Sequence, residues 1–578
     1  MYIGLTGYNH ESSAALVDAN GFLVDFYREE SLSRIKGDKS FPKRSIARLI
    51  SQNHINLDEI VNITFYERPL SAFMTVLKTA GKYLPESLPL ISHQCRSFNK
   101  SSVACFLDIG KLYPGLEKKL VYCDHHLSHT LTSLAYSNTQ KNLCSIVVDG
   151  FGDRSTSSIS IVNSHHQITE LWSSIYPISL GLFYSAITDF LGFQVNEGEY
   201  KVMGLSSFGN EESSEAKKVL DLIEWDEKNN IIIQDMRYFQ YHISPEVSFS
   251  SKLVELLGSP RNPFKTLLPE DKEFQYYANI AKGAQIAVSN ILCKIFKYAY
   301  SLSGCREFLF SGGVAMNSAS LDQLATLDFV KKIVVPPSPG DSGSAIGAAY
   351  YSYLKNNFKK NIFLPKPSFF PSKYDVSTQK KLARKIINSK FKIISSNPRE
   401  NVSIASELIR KGKVIGAILG NSETGPRALG NRSLICDGTN RVAVKFLNTI
   451  IKKRSPFRPT APCMQEEIAK KYYIIRDELM ECYKTMSATC KCRNKSKAEN
   501  FPTTHVDKTA RIQIVEEGQF LDKLLNELKK YNVEILANSS LNLSGDPTSF
   551  DLIDTLMISS RSPLEYIITD FGVLELIQ

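Results

Sequence analysis

The sequence predicts an α/β protein with a duplicated N-terminal domain over 1–360, a linker over 361–385 and a second α/β domain over 386–578. Three observations carry this reading. A strand–turn–strand pattern with small polar turn residues occurs twice, in "YIGLTGY" with "SAALVDANGFLVDFYREE" and again in "LCSIVVDGFGDRSTSSISIV". Two later stretches, "REFLFSGGVAMNSASL" and "KKIVVPPSPGDSGSAIGAAYYSYL", each read as strand, Gly or Pro/Gly loop, then helix. After a Lys-, Pro- and Phe-rich stretch, "NVSIASELIRKGKVIGAILG" reads as an amphipathic helix and a buried strand, so an α/β pattern restarts.

Taken in order, the first hairpin turns at Asp18–Gly21, and the second turns on the Gly and Asp residues of "DGFGDRS". The helix after "PGDSG" is opened by Ser342 and Gly343. Together the four loops resemble the nucleotide-binding layout of the actin-like (ASKHA) fold. Residues 481–500, "ECYKTMSATCKCRNKSKAEN", read as a loop or insertion.

Composition narrows the class. Of 578 residues, 43% are hydrophobic and 22% charged, which supports a sizeable core and excludes global disorder. The N-terminus has no basic region ahead of an apolar run, and no apolar stretch reaches membrane-spanning length. A soluble, cytoplasmic protein is expected. The eleven cysteines are odd in number and scattered, which predicts free thiols; Cys490 and Cys492 read as loop thiols rather than a metal site. The net charge is +10, and 441–500 alone carries 14 Lys+Arg against 6 Asp+Glu. That excess suits phosphorylated substrates or a solvated face; nucleic acid is not favoured.

The candidate chemistry sits in loops. In "DHHLSHTLTSLAYS", His125 and His129 are spaced i,i+4, so a helix puts both imidazoles on one face. An isolated pair of this kind is more often structural. Two carboxylates shift the balance, because Asp149 ends the strand in "VVDG" and Asp341 sits in "PGDSG", both where α/β sheets place ligands. Two His and two Asp suit Fe2+, Mn or Zn, and spacing does not choose among them. His10, among small residues in "GYNHESSAALV", is a candidate general base for an alcohol. Glu199 and Lys201 in "NEGEYKVMG" belong to a capped turn or line a pocket. "GNSETGPRALGNRSLICD" offers Arg427 and Arg432, and "IIKKRSPFRPTAP" offers Lys452, Arg454 and Arg458. Arg511, with His505 and Asp507, lies in "THVDKTARIQIV", and Ser540 and Asn542 lie in "LANSSLNLSGDP". Guanidinium forks suit phosphate and carboxylate oxygens.

With these residues assembled, nearly the whole chain resembles the antibiotic and nodulation-factor O-carbamoyltransferase family. The resemblance rests on "NHESSAALV", "SRIKGDKSFP", "DHHLSH", "SLGLFYSAITDFLGF", "NEGEYKVMGL", "SGGVAMN", "PGDSGSAIGAA", "GPRALGNRS", "FRPTAP", "HVDKTARIQ" and "NSSLN", in that order. The N-terminal part is similar to the actin-like tRNA threonylcarbamoyltransferase fold, and the C-terminal part to the YrdC-like domain that makes threonylcarbamoyl-adenylate. The resemblance implies carbamoyl phosphate, ATP with Mg2+ and a hydroxyl-bearing small molecule as partners; a homodimer stays open. The C-terminal domain would make carbamoyl-adenylate, and the N-terminal domain would pass the carbamoyl group to the hydroxyl. The family's divalent metal, Fe2+ first, maps onto His125, His129, Asp149 and Asp341, its catalytic His onto His10 and its nucleotide-contacting Lys onto Lys39. Gly312, Gly313, Asn317, Arg427, Arg432, Lys452, Arg454, Arg458, Arg511, Ser540 and Asn542 are the implied nucleotide and carbamoyl phosphate residues. Three positions depart from the family pattern: Asn421 stands for a cation, Ser455 for Glu and Lys508 for Gly. The competing readings are an actin-like ATPase or sugar kinase and an RNA-modifying protein.

Overall fold

Strand β1 (Tyr2–Thr6) is buried at every position, as an apolar run flanked on both sides must be. A computed structural model describes residues 1–101, 104–137, 141–357, 364–372 and 375–577. It divides into two compact units, Met1–Glu29 with Gly37–Pro367, and Glu30–Lys36 with Ser368–Gln578.

The first unit holds two five-stranded sheets. One is made of β1, β2 (Ser13–Val17), β3 (Leu23–Arg28), β4 (Asn62–Phe65) and β5 (Leu120–Tyr122), in the order β3-β2-β1-β4-β5. The other is made of β6 (Leu143–Gly152), β7 (Ser155–Val162), β8 (Ile168–Ile175), β11 (Glu307–Ser311) and β12 (Lys332–Val334), in the order β12-β11-β6-β7-β8. A separate ribbon pairs β9 (Ile223–Asp226) with β10 (Ile231–Gln234). The two large sheets share one topology. In each, the first three strands form an antiparallel meander, and the first strand then pairs in parallel with the fourth, and the fourth with the fifth. The duplication expected from the hairpins is therefore present, and it is the actin-like arrangement.

Each fifth strand feeds a helix: β5 leads to His125–Ser137 and β12 to Asp341–Asn357. The first helix is almost wholly buried, and the second is buried from Ser342 to Tyr350. They approach closely because the facing residues are small. A Cβ on Gly347 would lie 1.8 Å from the Ser128 carbonyl oxygen, and one on Gly4 of β1 would lie 1.8 Å from the Ala345 carbonyl oxygen. The Thr132 hydroxyl donates to the Gly343 carbonyl at 3.1 Å and accepts from the Gly347 amide at 3.0 Å.

The second unit is built on an eight-stranded mixed sheet. Its strands are β13 (Phe391–Ser395), β14 (Ile415–Ile418), β15 (Arg432–Asp437), β16 (Ala461–Met464), β19 (Gln513–Ile514), β20 (Leu536–Ser540), β21 (Tyr566–Thr569) and β22 (Gly572–Leu576). Their order is β13-β22-β21-β14-β15-β20-β16-β19. The helices Asn401–Arg410 and Phe520–Lys529 cover it with one apolar cluster around Leu408, Ile435, Leu525 and Leu536.

Three boundaries depart from the sequence reading. The expected linker 361–385 includes 361–363 and 373–374, which lie outside the described residues, but it also includes the first turns of a helix, Val376–Lys390. Asp375 caps that helix through the Ser377 and Thr378 amides. Residues 481–500 are not one loop: they contain most of the helix Met480–Lys484, and strand β17 (Cys490–Lys491) pairs with β18 (Thr509–Ala510). Residues 30–36 fall in the second unit although 37–39 fall in the first. All eleven cysteines are free, and among the described residues no helix is long and apolar enough to cross a membrane.

The tight helix approach is testable. Gly347→Ala and Gly4→Ala force a methyl group onto backbone oxygen and should each cost about 1–3 kcal/mol or more in chemical denaturation. Gly81→Ala, where nothing lies within 4 Å, should stay within about 0.5 kcal/mol. Equal midpoints for all three would contradict this packing.

Candidate functional site

Local chemistry sets the first residues of the site. Asp124 opens the helix His125–Ser137 by accepting the Leu127 amide at 3.1 Å, and Asp153 accepts the His125 amide at 3.0 Å. Asp153 also accepts the Arg68 amide at 2.7 Å. His125 and His129 then project from one helix face. Asp341 stands at the equivalent start of the second helix, and Asp149 stands in β6 where it turns into β7. The duplication thus delivers ligands from matching places in both halves.

One ligand atom from each of His125, His129, Asp149 and Asp341 lies within 4.8 Å of all the others, and these four can hold a metal ion. His129 Nε2 is 2.9 Å from Asp149 Oδ2 and 3.4 Å from Asp341 Oδ1. His125 Nε2 is 3.4 Å and 3.6 Å from the same two oxygens, and the two Nε2 atoms are 3.1 Å apart. Ligands about 2.0–2.2 Å from a shared ion are separated by about 3.0–3.5 Å, so the donor set fits one cation. The Ser344 hydroxyl at 3.1 Å from His129 Nδ1 sets that ring's orientation, as outer partners of metal-binding imidazoles do. A Cβ on Gly152 would lie 2.0 Å from His125 Cδ2, so the imidazole packs on bare backbone.

Charge follows the geometry. Burial alone would raise the Asp149 carboxyl, but the imidazoles of His125 and His129 hold it well below the usual carboxylate range. Burial works against a charged His125, yet Asp341 and Asp149 outweigh it and bring its pKa up to about 10. His126 behaves differently. Burial and then the two neighbouring imidazoles push it down to about 3, and its Nδ1 lies 2.7 Å from the Ser158 hydroxyl. It is a core residue.

His10 lies in the loop between β1 and β2, 41% exposed, with Nε2 3.8 Å from Asp341 Oδ2. Residues 38–40 brace this loop: the Tyr8 amide donates to the Lys39 carbonyl at 2.7 Å and the Ser12 amide to the Asp38 carbonyl at 2.8 Å. The Lys39 side chain is exposed. Glu67, which sequence reasoning missed, accepts from the Asn9 side-chain amide at 2.7 Å, and burial pushes its carboxyl up to about 8. Gly312, with φ +90, and Gly313 turn beside Asp149: a Cβ on Gly313 would lie 3.0 Å from Asp149 Oδ1. Asn317 is committed elsewhere, exchanging amide hydrogen bonds of 3.0 and 3.1 Å with Gln285. Glu199 accepts the Asn196 and Gly198 amides and the Ser185 hydroxyl, so the capped turn describes it. Lys201 lies over the Phe193 ring.

The cations of the second unit separate into two kinds. Arg432 is fully buried, and its guanidinium donates to the carbonyls of Leu419, Gly420, Asn431 and Phe550 at 2.9–3.0 Å. It builds the loop rather than presenting a fork to a ligand, which corrects the sequence assignment. Glu423 completes that construction by accepting the Leu429, Asn431 and Arg432 amides at 2.9, 3.1 and 3.0 Å. Arg427 stands within the loop so held, half-buried. Burial, then the charges of Arg427, Arg454 and Arg458, depress the Arg511 guanidinium well below its usual value, which places four arginines in one electrostatic neighbourhood. Arg511 Nε is buried and has no hydrogen-bond partner.

Lys452 follows a π-helical stretch, Phe446–Ile451, and donates to the Ser540 carbonyl and the Asn542 carbonyl, each at 2.7 Å, and to the Asn542 side-chain oxygen. Burial, then Arg454 and Arg458, hold its amine well below the usual range. Lys452, Ser540 and Asn542 are therefore one hydrogen-bonded group. His505 lies 3.1 Å from the Phe457 carbonyl oxygen through Nε2. Lys508, which stands where the family pattern has Gly, has φ +61, a left-handed backbone in which Gly carries no Cβ penalty.

Two outcomes follow. His129→Ala should strip the metal from the first unit, read by elemental analysis of purified protein, while far-UV circular dichroism stays unchanged; full metal content would remove these ligands. Arg432→Leu should cost the second unit about 3–5 kcal/mol because it strands the buried Leu419 and Phe550 carbonyls and removes the guanidinium that ties the loop. Arg427→Ala should cost less than about 1 kcal/mol in the same urea titration.

The arrangement has relatives. Residues 1–350 match the family model described as carbamoyltransferase N-terminus, and 406–575 match carbamoyltransferase C-terminus. An uncharacterized protein of Synechocystis sp. is 28% identical, over 99% of this chain and 96% of its own. The nodulation protein NolNO of Sinorhizobium fredii is 27% identical, over 95% of this chain and 76% of its own. A 3'-hydroxymethylcephem-O-carbamoyltransferase of Amycolatopsis lactamdurans is 24% identical, over 75% of this chain and 76% of its own. With both of the family's domains matched, in order and over most of its length, the chain belongs to the carbamoyltransferase family.

Proposed function

We propose that this protein is an ATP-dependent O-carbamoyltransferase that makes carbamoyl-adenylate and passes its carbamoyl group to a hydroxyl of a small molecule, a natural product or sugar. The observation that carries the reading is the pair of sites in a chain of this family: a four-ligand metal group with His10 at its edge, and an arginine cluster around a loop built by Glu423 and Arg432. The cephem relative carries an O-carbamoyltransferase name, which supports a hydroxyl acceptor.

In the second unit, carbamoyl phosphate takes up water and gives carbamate and phosphate. A carbamate oxygen then attacks the α-phosphorus of ATP, delivered with Mg2+, and the α–β phosphoanhydride bond breaks to release pyrophosphate. Arg427, Arg454, Arg458 and Arg511 supply fixed positive charge where phosphate oxygens gain negative charge. Lys452 holds Ser540 and Asn542 in one arrangement. In the first unit, His10 takes the proton of the acceptor hydroxyl as its oxygen attacks the carbamoyl carbon. The bond from that carbon to the adenylate oxygen breaks, and AMP leaves. Lys39, exposed beside the His10 loop, meets the adenylate phosphate. A divalent cation held by His125, His129, Asp149 and Asp341, with Fe2+ preferred over Mn or Zn, would supply Lewis acidity toward the carbamoyl oxygen.

The two half-reactions separate by variant. His10→Asn should lower transfer by about 10²–10⁴-fold, the usual contribution of a general base, while AMP still accumulates from ATP and carbamoyl phosphate by slow hydrolysis of the intermediate. Transfer is read by mass spectrometry as the gain of one carbamoyl group across a panel of sugar, aminoglycoside and cephem alcohols. ADP in place of AMP would point to the kinase or ATPase reading and overturn this one.

A further inference from the structure

One short stretch of the N-terminal sequence belongs to the second unit. Residues Glu30–Lys36 group with Ser368–Gln578, although the chain before and after them belongs to the first unit. Arg34 ties the stretch there. The five-residue helix Glu29–Ser33 ends just before this residue, and Arg34 turns the chain with a left-handed φ of +62. Its guanidinium then makes three contacts in the second unit, two on one loop and one on the helix Leu552–Ser560 that follows it. Nη1 donates to the Thr548 carbonyl at 2.8 Å, Nη2 donates to the Pro547 carbonyl at 3.0 Å, and Nη1 lies 3.2 Å from Asp554 Oδ2.

That loop reaches the proposed adenylate site in two hydrogen-bonded steps. The Asp546 carbonyl, next to Pro547, accepts from the Asn542 side-chain amide at 2.6 Å. The Asn542 side-chain oxygen accepts from Lys452 Nζ and, at 2.7 Å, from the Ser540 hydroxyl. On its other side the loop is tied by Arg432, which holds the Phe550 carbonyl at 2.9 Å. The loop between Asn542 and Phe550 is thus held by two arginines, Arg34 through its fork and Arg432 through Nε. One belongs to the loop's own domain, and the other comes from the N-terminal part of the sequence.

We infer that Arg34 is a positioning residue for carbamoyl-adenylate formation: it fixes the 546–548 loop and, through Asn542, the placement of Lys452 and Ser540. This rests on the two-step reading above. The role needs a planar fork, because two carbonyls and a carboxylate are met at once; a lysine ammonium pairs with Asp554 but does not span both carbonyls in fixed geometry. The same segment runs on into Asp38–Ser40, which brace the His10 loop in the first unit.

The test uses the full chain and needs no acceptor. AMP formation from ATP and carbamoyl phosphate is measured for wild type, Arg34→Lys and Asp554→Asn, with thermal midpoints and bound metal recorded alongside. Asp554→Asn keeps an acceptor for the Phe550 and Asp551 amides but loses the charge facing Arg34. Arg34→Lys should lower kcat/KM for ATP by ~10- to 100-fold, the scale of a small misplacement remote from the chemistry. Asp554→Asn should shift it in the same direction by less. Melting within about 2 °C of wild type and unchanged metal content should accompany both. A wild type that forms no AMP overturns the two-step reading and this inference with it. A wild type that forms AMP, beside an Arg34→Lys variant of equal kcat/KM, overturns the inference alone. Unfolding of both variants makes Arg34 a structural residue and overturns it as well.

Discussion

The close approach of two helices, His125–Ser137 and Asp341–Asn357, is the constraint on which the first unit depends. Nothing wider than a hydrogen fits between Gly347 and the Ser128 carbonyl, or between Gly4 and the Ala345 carbonyl. That spacing lets the first turns of both helices share one point, where two imidazoles and two carboxylates meet. Had either helix carried larger side chains at the contact, Asp341 would stand too far from His129 to share an ion with it. The fold's duplication supplies the symmetry, and the small residues supply the distance.

The second unit illustrates how one residue type divides its labour by environment. Arg432 has no exposure and four carbonyl partners, so its charge is spread into the backbone that forms the site. Arg34 does the same from a distant part of the sequence. Arg427, Arg454, Arg458 and Arg511 instead crowd one another enough to depress Arg511. Such crowding costs free energy in isolation, and an anion with several oxygens relieves it. Construction thus falls to Arg432 and Arg34, and the four crowded arginines are the ones proposed for anion recognition.

Some of this was legible from residue order. The i,i+4 spacing of His125 and His129, and the loop positions read for Asp149 and Asp341, were enough to group four side chains that can hold a metal ion and lie as much as 216 positions apart, because helices and the loops after strands have restricted geometry. The paired hairpins disclosed the duplication for the same reason. Other residues were misread. Arg432 resembled a phosphate ligand because a motif shows charge but not burial. Asn317 looked available because its partner, Gln285, is decided by packing, whereas of the two readings open for Glu199 the capped turn is the one its contacts support. Glu423 and Asp153 went unnoticed, since a carboxylate that accepts backbone amides leaves no spacing signature, and Glu67 went unnoticed because its partner, the Asn9 side chain, is brought to it by packing.

By itself, then, the sequence determined the local elements, the helix face bearing two imidazoles, the glycine turns and the family. These depend on short-range sterics and periodicity, which neighbouring residues set. Only the tertiary structure decided which cations are spent on carbonyls, and which gather beside other cations. It alone assigned Glu30–Lys36 to the second unit, since a guanidinium finds its acceptors by position in space, and Arg34 finds them more than five hundred residues along the chain.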